Sequence, residues 1–195
     1  MEIKQQVSAG ILAGGKSSRM GQNKADLILG KMTFLERAAR ACEGLHSLRI
    51  SVDRADRYEN LIWPVVEDEL KEFGPLEGIY QLVKASETPY VLIIATDMPF
   101  LNREFLERLA GSVTGEEDCV VLMTEGKVQP LCSVYGKGVL PVLEEMRKAR
   151  EHKVRLLYSR IKVRYIEADE LGGGMELLKN INTREEYDET VKRFL

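Results

Sequence analysis

The sequence predicts an α/β protein, a doubly wound and mostly parallel sheet with helices on both faces. Three observations predict it. Short apolar runs alternate with longer amphipathic stretches along the chain, which is the β-α-β rhythm of a parallel sheet. The run Tyr90–Ala95 is continuously apolar, as a strand is when helices cover both of its faces. A glycine-rich loop follows the first apolar run directly. That is where such sheets bind ligands, beyond the carboxyl ends of their strands.

Taken in order, Val7–Leu12 reads as the first strand. Residues 33–43 read as a helix, with Thr33 as N-cap and Glu36 three residues on completing a capping box. Leu48–Val52 is a second strand and residues 62–66 a third. Residues 76–86 are helical, opened by Pro75. Tyr90–Ala95 is the next strand, and residues 102–110 a helix capped by Asn102. Residues 119–123 and 131–135 read as strands, 139–148 and 153–159 as helices, and 162–166 as a late strand. Residues 183–194 form a last helix capped by Thr183, with Glu186 three residues on. Gly172-Gly173-Gly174 marks a mobile or tight turn. No linker or internal repeat divides the 195 residues, a length that supports one substantial core, so one domain over 1–195 is expected.

A chain that is 44% hydrophobic and 30% charged is ordinary for a globular protein. Its net charge of −3 and isoelectric point near 5.6 give no global attraction to nucleic acid, so an anionic ligand must be held by a local cationic site. Cys42, Cys119 and Cys132 form no CxxC and no ligand-like pair with His46 or His152, which points to buried thiols in a reduced cytosolic setting. No apolar stretch approaches membrane-spanning length, and Met1-Glu2-Ile3-Lys4-Gln5-Gln6 lacks the build of a signal peptide. The expectation is a soluble cytoplasmic protein with neither nucleic acid nor membrane as partner.

The loop Leu12-Ala13-Gly14-Gly15-Lys16-Ser17-Ser18-Arg19-Met20-Gly21, followed by Lys24, concentrates glycines, hydroxyls and cations. That composition suits backbone N–H groups and positive charge wrapped around polyphosphate. It is neither of two familiar phosphate motifs. Gly15 and Gly21 have five residues between them and Gln22 follows where a P-loop needs lysine. Gly14 and Gly15 are adjacent where a dinucleotide fingerprint alternates. A P-loop kinase or a dehydrogenase is therefore disfavoured. A solvated basic loop would leave Lys16, Arg19 and Lys24 in mutual repulsion unless an anion or carboxylates offset them.

Two acidic positions accompany the loop. Asp97 follows the apolar run Tyr90–Ala95 and precedes Met98-Pro99, which puts a carboxylate at the sheet's carboxyl edge. Magnesium prefers such hard oxygen ligands, one or two carboxylates plus substrate phosphates. Capping of the next helix is the alternative role, and Asn102 fills it better. Glu67-Asp68-Glu69 leads into Phe73-Gly74-Pro75-Leu76-Glu77-Gly78. Adjacent acids commonly form a solvated face, while Gly74 and Gly78 would let a helix start approach a ligand closely.

The pattern LAGGxSxRMGxxK resembles the signature of sugar-nucleotide-type nucleotidyltransferases, and within them most resembles the molybdenum cofactor guanylyltransferases. The resemblance runs from Val7 to about Tyr187. It implies a Rossmann-like, three-layer α/β/α sheet of the nucleoside-diphospho-sugar transferase type, with a nucleotide-binding half over 1–110 and an acceptor-binding half over 111–195. It implies that the backbone of Leu12, Ala13, Gly14 and Gly15 holds the nucleotide together with Lys24, and that Arg19 meets the phosphates. Thr96-Asp97-Met98-Pro99-Phe100 matches the family's (C/T)DMPF segment, whose aspartate carries Mg²⁺ and contacts the nucleotide. Arg19, Lys24 and Asp97 are thereby the catalytic candidates. Asp68, ahead of the GPLxG segment, is implied to contact the nucleotide.

One departure stands out. The family often has an asparagine just after the second strand, and Ser51 occupies that region here, which puts base contacts there in question. Gln129-Pro130-Leu131-Cys132-Ser133-Val134-Tyr135 resembles the family's PLxxxY strand near the pterin side, and Asn180-Ile181-Asn182-Thr183 its NINT segment. Asn180 and Asn182 are candidates for acceptor binding, although loop closure and capping explain asparagines in such places somewhat better. Lys153 and Arg155 fit a solvated face better than a phosphate site. The implied reaction transfers GMP from GTP to molybdopterin with release of pyrophosphate. The resemblance also implies transient contact with molybdoenzymes or other cofactor-biosynthesis proteins. Cytidylyl transfer, a sugar phosphate acceptor, or a non-catalytic nucleotide-binding module remain the alternatives.

Overall fold

The computed structural model describes residues 6–14, 23–58 and 61–194. Its strands are β1 (Val7–Leu12), β2 (Ile28–Leu29), β3 (Met32–Thr33), β4 (Leu48–Val52), β5 (Val65–Glu67), β6 (Tyr90–Ala95), β7 (Cys119–Thr124), β8 (Lys127–Val128), β9 (Cys132–Gly136) and β10 (Val163–Glu167). Its α-helices are α1 (Phe34–Ala41), α2 (Pro75–Ala85), α3 (Arg103–Gly111), α4 (Leu140–Lys148) and α5 (Arg184–Phe194).

An eight-stranded sheet runs in the order β5-β4-β1-β6-β9-β7-β10, with β8 paired to β7. β5, β4, β1 and β6 are mutually parallel. β9 runs antiparallel to both of its neighbours, β6 and β7, and β10 returns parallel to β7. Alternation along the strands sorts side chains between two cores. From β6, Leu92 and Ile94 join the core that also holds Leu35, Phe105 and Leu109 from α1 and α3. Val91 and Ile93 join the core that holds Leu76, Ile79 and Leu143 from α2 and α4. This is the doubly wound, three-layer arrangement expected from the sequence. A small third cluster joins Leu29 of β2 and Phe34 to Ile181 and Tyr187, and so docks α5 on the β2–β3 hairpin.

The order of the strands fixes where a ligand belongs. From β1 the chain passes through α1 to β4 on one side, and later returns through α2 to β6 on the other side of β1. The winding therefore reverses between β1 and β6, and the crevice of such a fold lies at the carboxyl ends of that pair.

The capping signals act as expected. The Thr33 hydroxyl accepts from the Glu36 N–H at 3.1 Å, and the Glu36 carboxylate accepts from the Thr33 N–H at 2.7 Å. Asn102 accepts from the Phe105 N–H at 2.9 Å, and Thr183 and Glu186 repeat the reciprocal cap at α5. Gly172 has a φ of 70° and Gly173 presses against Phe105, so the glycine triplet is a tight turn. All three cysteines are free and buried.

Other expectations need correction. The third strand is Val65–Glu67 and not 62–66. Pro64 has no N–H to give a ladder, and Ile62 is 85% exposed. Residues 153–159 are not an α-helix, because Val154–Ser159 winds as a 3₁₀ segment. The pairs β2–β3 and β7–β8 add to the expected strands, since strands with only two residues carry no period to read. Among the described residues no helix is long and apolar enough to cross a membrane.

Candidate active site

Residues leaving β1 and β6 meet at the reversal point. Leu12 pairs with Ala95 in the ladder, and the Thr96 N–H donates to the Leu12 carbonyl at 3.4 Å. The turn that begins at Ala13 is pinned from both sides. The Ala13 N–H donates to the Ser51 carbonyl at 2.9 Å, and the Tyr58 hydroxyl donates to the Ala13 carbonyl at 3.2 Å. Asn23 closes the circuit, with its amide donating to the Tyr58 hydroxyl and its Oδ1 accepting from the Ala25 N–H at 3.1 Å. At Gly14 an added Cβ would lie 2.7 Å from the Asp53 backbone nitrogen. Only glycine lets the turn lie this close to the end of β4. Gly15 and Arg19 lie outside the described residues.

Lys24 opens a 3₁₀ turn capped by Asn23 and reaches across the crevice. Its Nζ lies 3.3 Å from Asp97 Oδ2 and donates to Asn182 Oδ1 at 2.7 Å. The NINT segment is itself tied to the site, because the Ile181 N–H donates to the Asp97 carbonyl at 2.8 Å. Lys24, Asp97 and Asn182 are thus brought together. Asn180 flanks the Ile181 anchor, one residue away.

The Asp97 carboxylate is divided in its environment. Oδ2 has Lys24, while Oδ1 is buried without a hydrogen-bond partner among the described residues. An orphaned, buried, anionic oxygen is costly, and it fits a hard divalent cation. Among the described residues no group of three or more His, Cys, Asp or Glu side chains could enclose a metal.

Asp68 stands at the β4 side of the turn. Its N–H donates to the Val52 carbonyl at 2.9 Å, and one carboxylate oxygen accepts from the Ser51 hydroxyl at 3.0 Å. Burial raises its carboxyl to about 6 against the opposing pull of that hydroxyl, and the nearby Glu77 carboxylate adds to the rise. Ser51, which stands in the region of the family's asparagine, is buried and spends its hydroxyl on Asp68. Gly78 serves packing of helix on sheet and not a ligand, since a Cβ there would lie 2.4 Å from Leu12 Cδ2 and 2.7 Å from Ser51 Oγ. Gly74, at a φ of 83° and a ψ of −167°, supplies the positive-φ residue that precedes α2, a backbone that favours glycine.

Sequence reasoning did not find Tyr58, Asn23 or the Ser51–Asp68 contact. Asn23 lies inside the LAGGxSxRMGxxK pattern at a position the pattern leaves free. Tyr58 is a lone aromatic in a loop, and nothing in its neighbourhood signals a role.

Comparison with known proteins bears on this geometry. A family model described as the MobA-like NTP transferase domain matches residues 9–164. A protein of Carboxydothermus hydrogenoformans named "probable molybdenum cofactor guanylyltransferase" is 36% identical over 193 residues, covering 97% of this chain and 98% of its own length. One of the same name from Bacillus velezensis is 33% identical over 91% of this chain and 90% of its own. The crystal structure of molybdopterin-guanine dinucleotide biosynthesis protein A from Archaeoglobus fulgidus superposes with a TM-score of 0.84 at 20% identity, over 95% of this chain and 97% of that one. The fold also extends to 2-C-methyl-D-erythritol 4-phosphate cytidylyltransferase from Thermus thermophilus, with a TM-score of 0.70 at 17% identity and 97% and 98% coverage. The turn after β1 and the aspartate after β6 therefore sit within a nucleotidyltransferase, and the chain belongs to the MobA-like NTP transferase family, among the molybdenum cofactor guanylyltransferases.

Proposed function

We propose that this protein transfers GMP from GTP to the terminal phosphate of molybdopterin, using the crevice between β1 and β6. A phosphate oxygen of the acceptor attacks the α-phosphorus of GTP, the bond to the β-phosphate oxygen breaks, and pyrophosphate leaves with that electron pair. The acceptor is already an anionic oxygen, so the chain needs no nucleophilic side chain. The observation that carries the reading is Lys24 Nζ placed 3.3 Å from Asp97 Oδ2, next to the glycine turn, in a chain of this family.

Two polyanions must approach each other, so catalysis rests on positioning and charge neutralisation. The Leu12, Ala13 and Gly14 backbone offers a close surface for the nucleotide. Lys24 and Arg19 neutralise the phosphates. Asp97 would hold Mg²⁺, which when bound would supply Lewis-acid neutralisation of phosphate charge. Asp68 accepts from the nucleoside, and Ser51 orients that carboxylate. Residues 1–110 form the nucleotide-binding half and 111–195 the acceptor-binding half of one domain. In the acceptor half, Asn182 borders the crevice with Asn180 two residues before it, and Asn182 trades its contact with Lys24 for substrate. The setting is the cytoplasm.

The test is pyrophosphate release with each of the four common nucleoside triphosphates and Mg²⁺, with and without molybdopterin. Release that requires both GTP and molybdopterin is expected. Release with CTP and not GTP, or with a sugar phosphate in place of molybdopterin, would transfer the assignment to a related nucleotidyltransferase.

A further inference from the structure

Behind Asp68 lies an ion pair that the reaction does not use. Glu77, in the first turn of α2, is fully buried. Its Oε1 accepts the N–H groups of Glu69 at 3.1 Å and Leu70 at 3.2 Å, the two residues that follow Asp68. Arg147, near the end of α4, grips the same carboxylate as a fork, with Nε to Oε2 at 2.7 Å and a terminal nitrogen to Oε1 at 3.0 Å. That terminal nitrogen also reaches Glu69 at 2.9 Å, and the guanidinium lies 3.9 Å from the Tyr80 ring centre. Gln81 adds a further donor to Glu77 at 2.8 Å. Burial alone would raise the Glu77 carboxyl, but Arg147, Gln81 and the Leu70 N–H outweigh it and hold it below its ordinary value.

A buried ion pair is a poor way to obtain stability, because well-packed apolar residues of like volume do as well or better. What this pair does and an apolar pair does not is accept two backbone N–H groups from the turn that carries Asp68. We propose that Glu77, and Arg147 from the opposite half of the chain, are positioning residues for the nucleotide site, fixing the shape and the electrostatic surroundings of the Asp68 turn. The inference rests on the reading of Asp68 as a nucleotide contact.

The charged and titratable neighbours of Asp68 define the expected response. Ser51 and Asp53 face it from β4 and its exit, Lys71 from its own turn and Glu77 from α2, with Arg147 behind Glu77. The Glu77 carboxylate disfavours ionisation of Asp68. Removing that charge while keeping the acceptor oxygen should ease ionisation.

The experiment measures KM for GTP and kcat between pH 5 and 8, in the wild type, Glu77→Gln, Arg147→Met and Asp68→Asn, and in the first two substitutions combined with Asp68→Asn. Arg147→Met should raise KM for GTP about tenfold with kcat nearly unchanged. Glu77→Gln should move the acidic limb of the KM profile to lower pH. In the Asp68→Asn background neither substitution should change KM further, because the residue they act through is gone. Should Arg147→Met not fold, Glu77→Gln decides alone, since its amide oxygen still accepts both N–H groups. A wild-type KM profile in Glu77→Gln, or an undiminished KM effect in the Asp68→Asn background, overturns the inference while the nucleotide reading stands. An Asp68→Asn variant with unchanged KM for GTP overturns the nucleotide reading itself.

Discussion

Replacing Asp97 with alanine separates what the carboxylate does for the fold from what it does for the reaction. Its Oδ2 pairs with Lys24 between side chains 22% and 20% exposed, and partly exposed pairs contribute about 0–1 kcal/mol. Its Oδ1 is buried without a hydrogen-bond partner among the described residues, and such an atom costs about 1–3 kcal/mol. The backbone carbonyl keeps its bond to the Ile181 N–H at 2.8 Å whatever the side chain. The two side-chain contributions oppose each other, so Asp97→Ala should lose no more than about 1 kcal/mol and can gain stability. For a chain of 195 residues that bounds the fall in Tm at about 4 °C. Magnesium-dependent pyrophosphate release should instead fall by about 10²–10³, the usual result of removing one preorganised electrostatic group. Scanning calorimetry without metal and a coupled pyrophosphate assay with GTP, Mg²⁺ and molybdopterin read the two effects separately. Turnover within about threefold of wild type would show that Asp97 does not hold the metal. A Tm lowered by about 10 °C or more would show that it is a structural residue.

Lys24→Ala should weaken GTP binding by about 10- to 100-fold in isothermal titration, the range for losing one charge-assisted hydrogen bond; unchanged affinity would remove Lys24 from the cradle. Asp68 titrates near 6 in the folded chain, above its ordinary 3.8, so its ionisation opposes folding, and the stability it lends at low pH is lost as pH rises between those values. Asp68→Asn should therefore raise Tm relative to wild type at pH 7 and leave it unchanged at pH 3.5, and an equal gain at both pH values would contradict the shift. Gly14→Ala brings a Cβ to 2.7 Å from the Asp53 nitrogen, and forcing that backbone apart should cost about 1–3 kcal/mol in thermal unfolding and also weaken GTP binding. A variant as stable and as tight as wild type would mean that the turn has slack the geometry does not show.

The parts of the molecule legible in the sequence are those written in consecutive residues. Tyr90–Ala95 has no polar interruption, and the structure splits it between two cores, Leu92 and Ile94 to one face, Val91 and Ile93 to the other. That double burial is why the apolar run alone puts its carboxyl end, and Asp97 with it, at the crevice. The capping boxes at Thr33 and Thr183 were legible because donor and acceptor lie three residues apart. The direction of β9 was not legible, since an apolar strand reads the same whether it runs with or against its neighbours.

The site divides along the same line. The glycine turn and Lys24 lie in one continuous motif, whereas the groups that set their chemistry come from far along the chain. Asn182 reaches Lys24 across 158 residues, Ser51 reaches Asp68 across 17, and Arg147 reaches Glu77 across 70. Glu77 shows why such partners stay hidden. On a helix's first turn an acid ordinarily complements the dipole and faces water, and nothing in Gly74-Pro75-Leu76-Glu77-Gly78 says otherwise. Gly78 brings α2 tightly onto Leu12 and Ser51, which buries the acid beside it, and only then does α4 become the place from which its counter-charge must come. The packing of the helix on the sheet thus decides the electrostatics behind Asp68, and packing is the one quantity that a local motif does not encode.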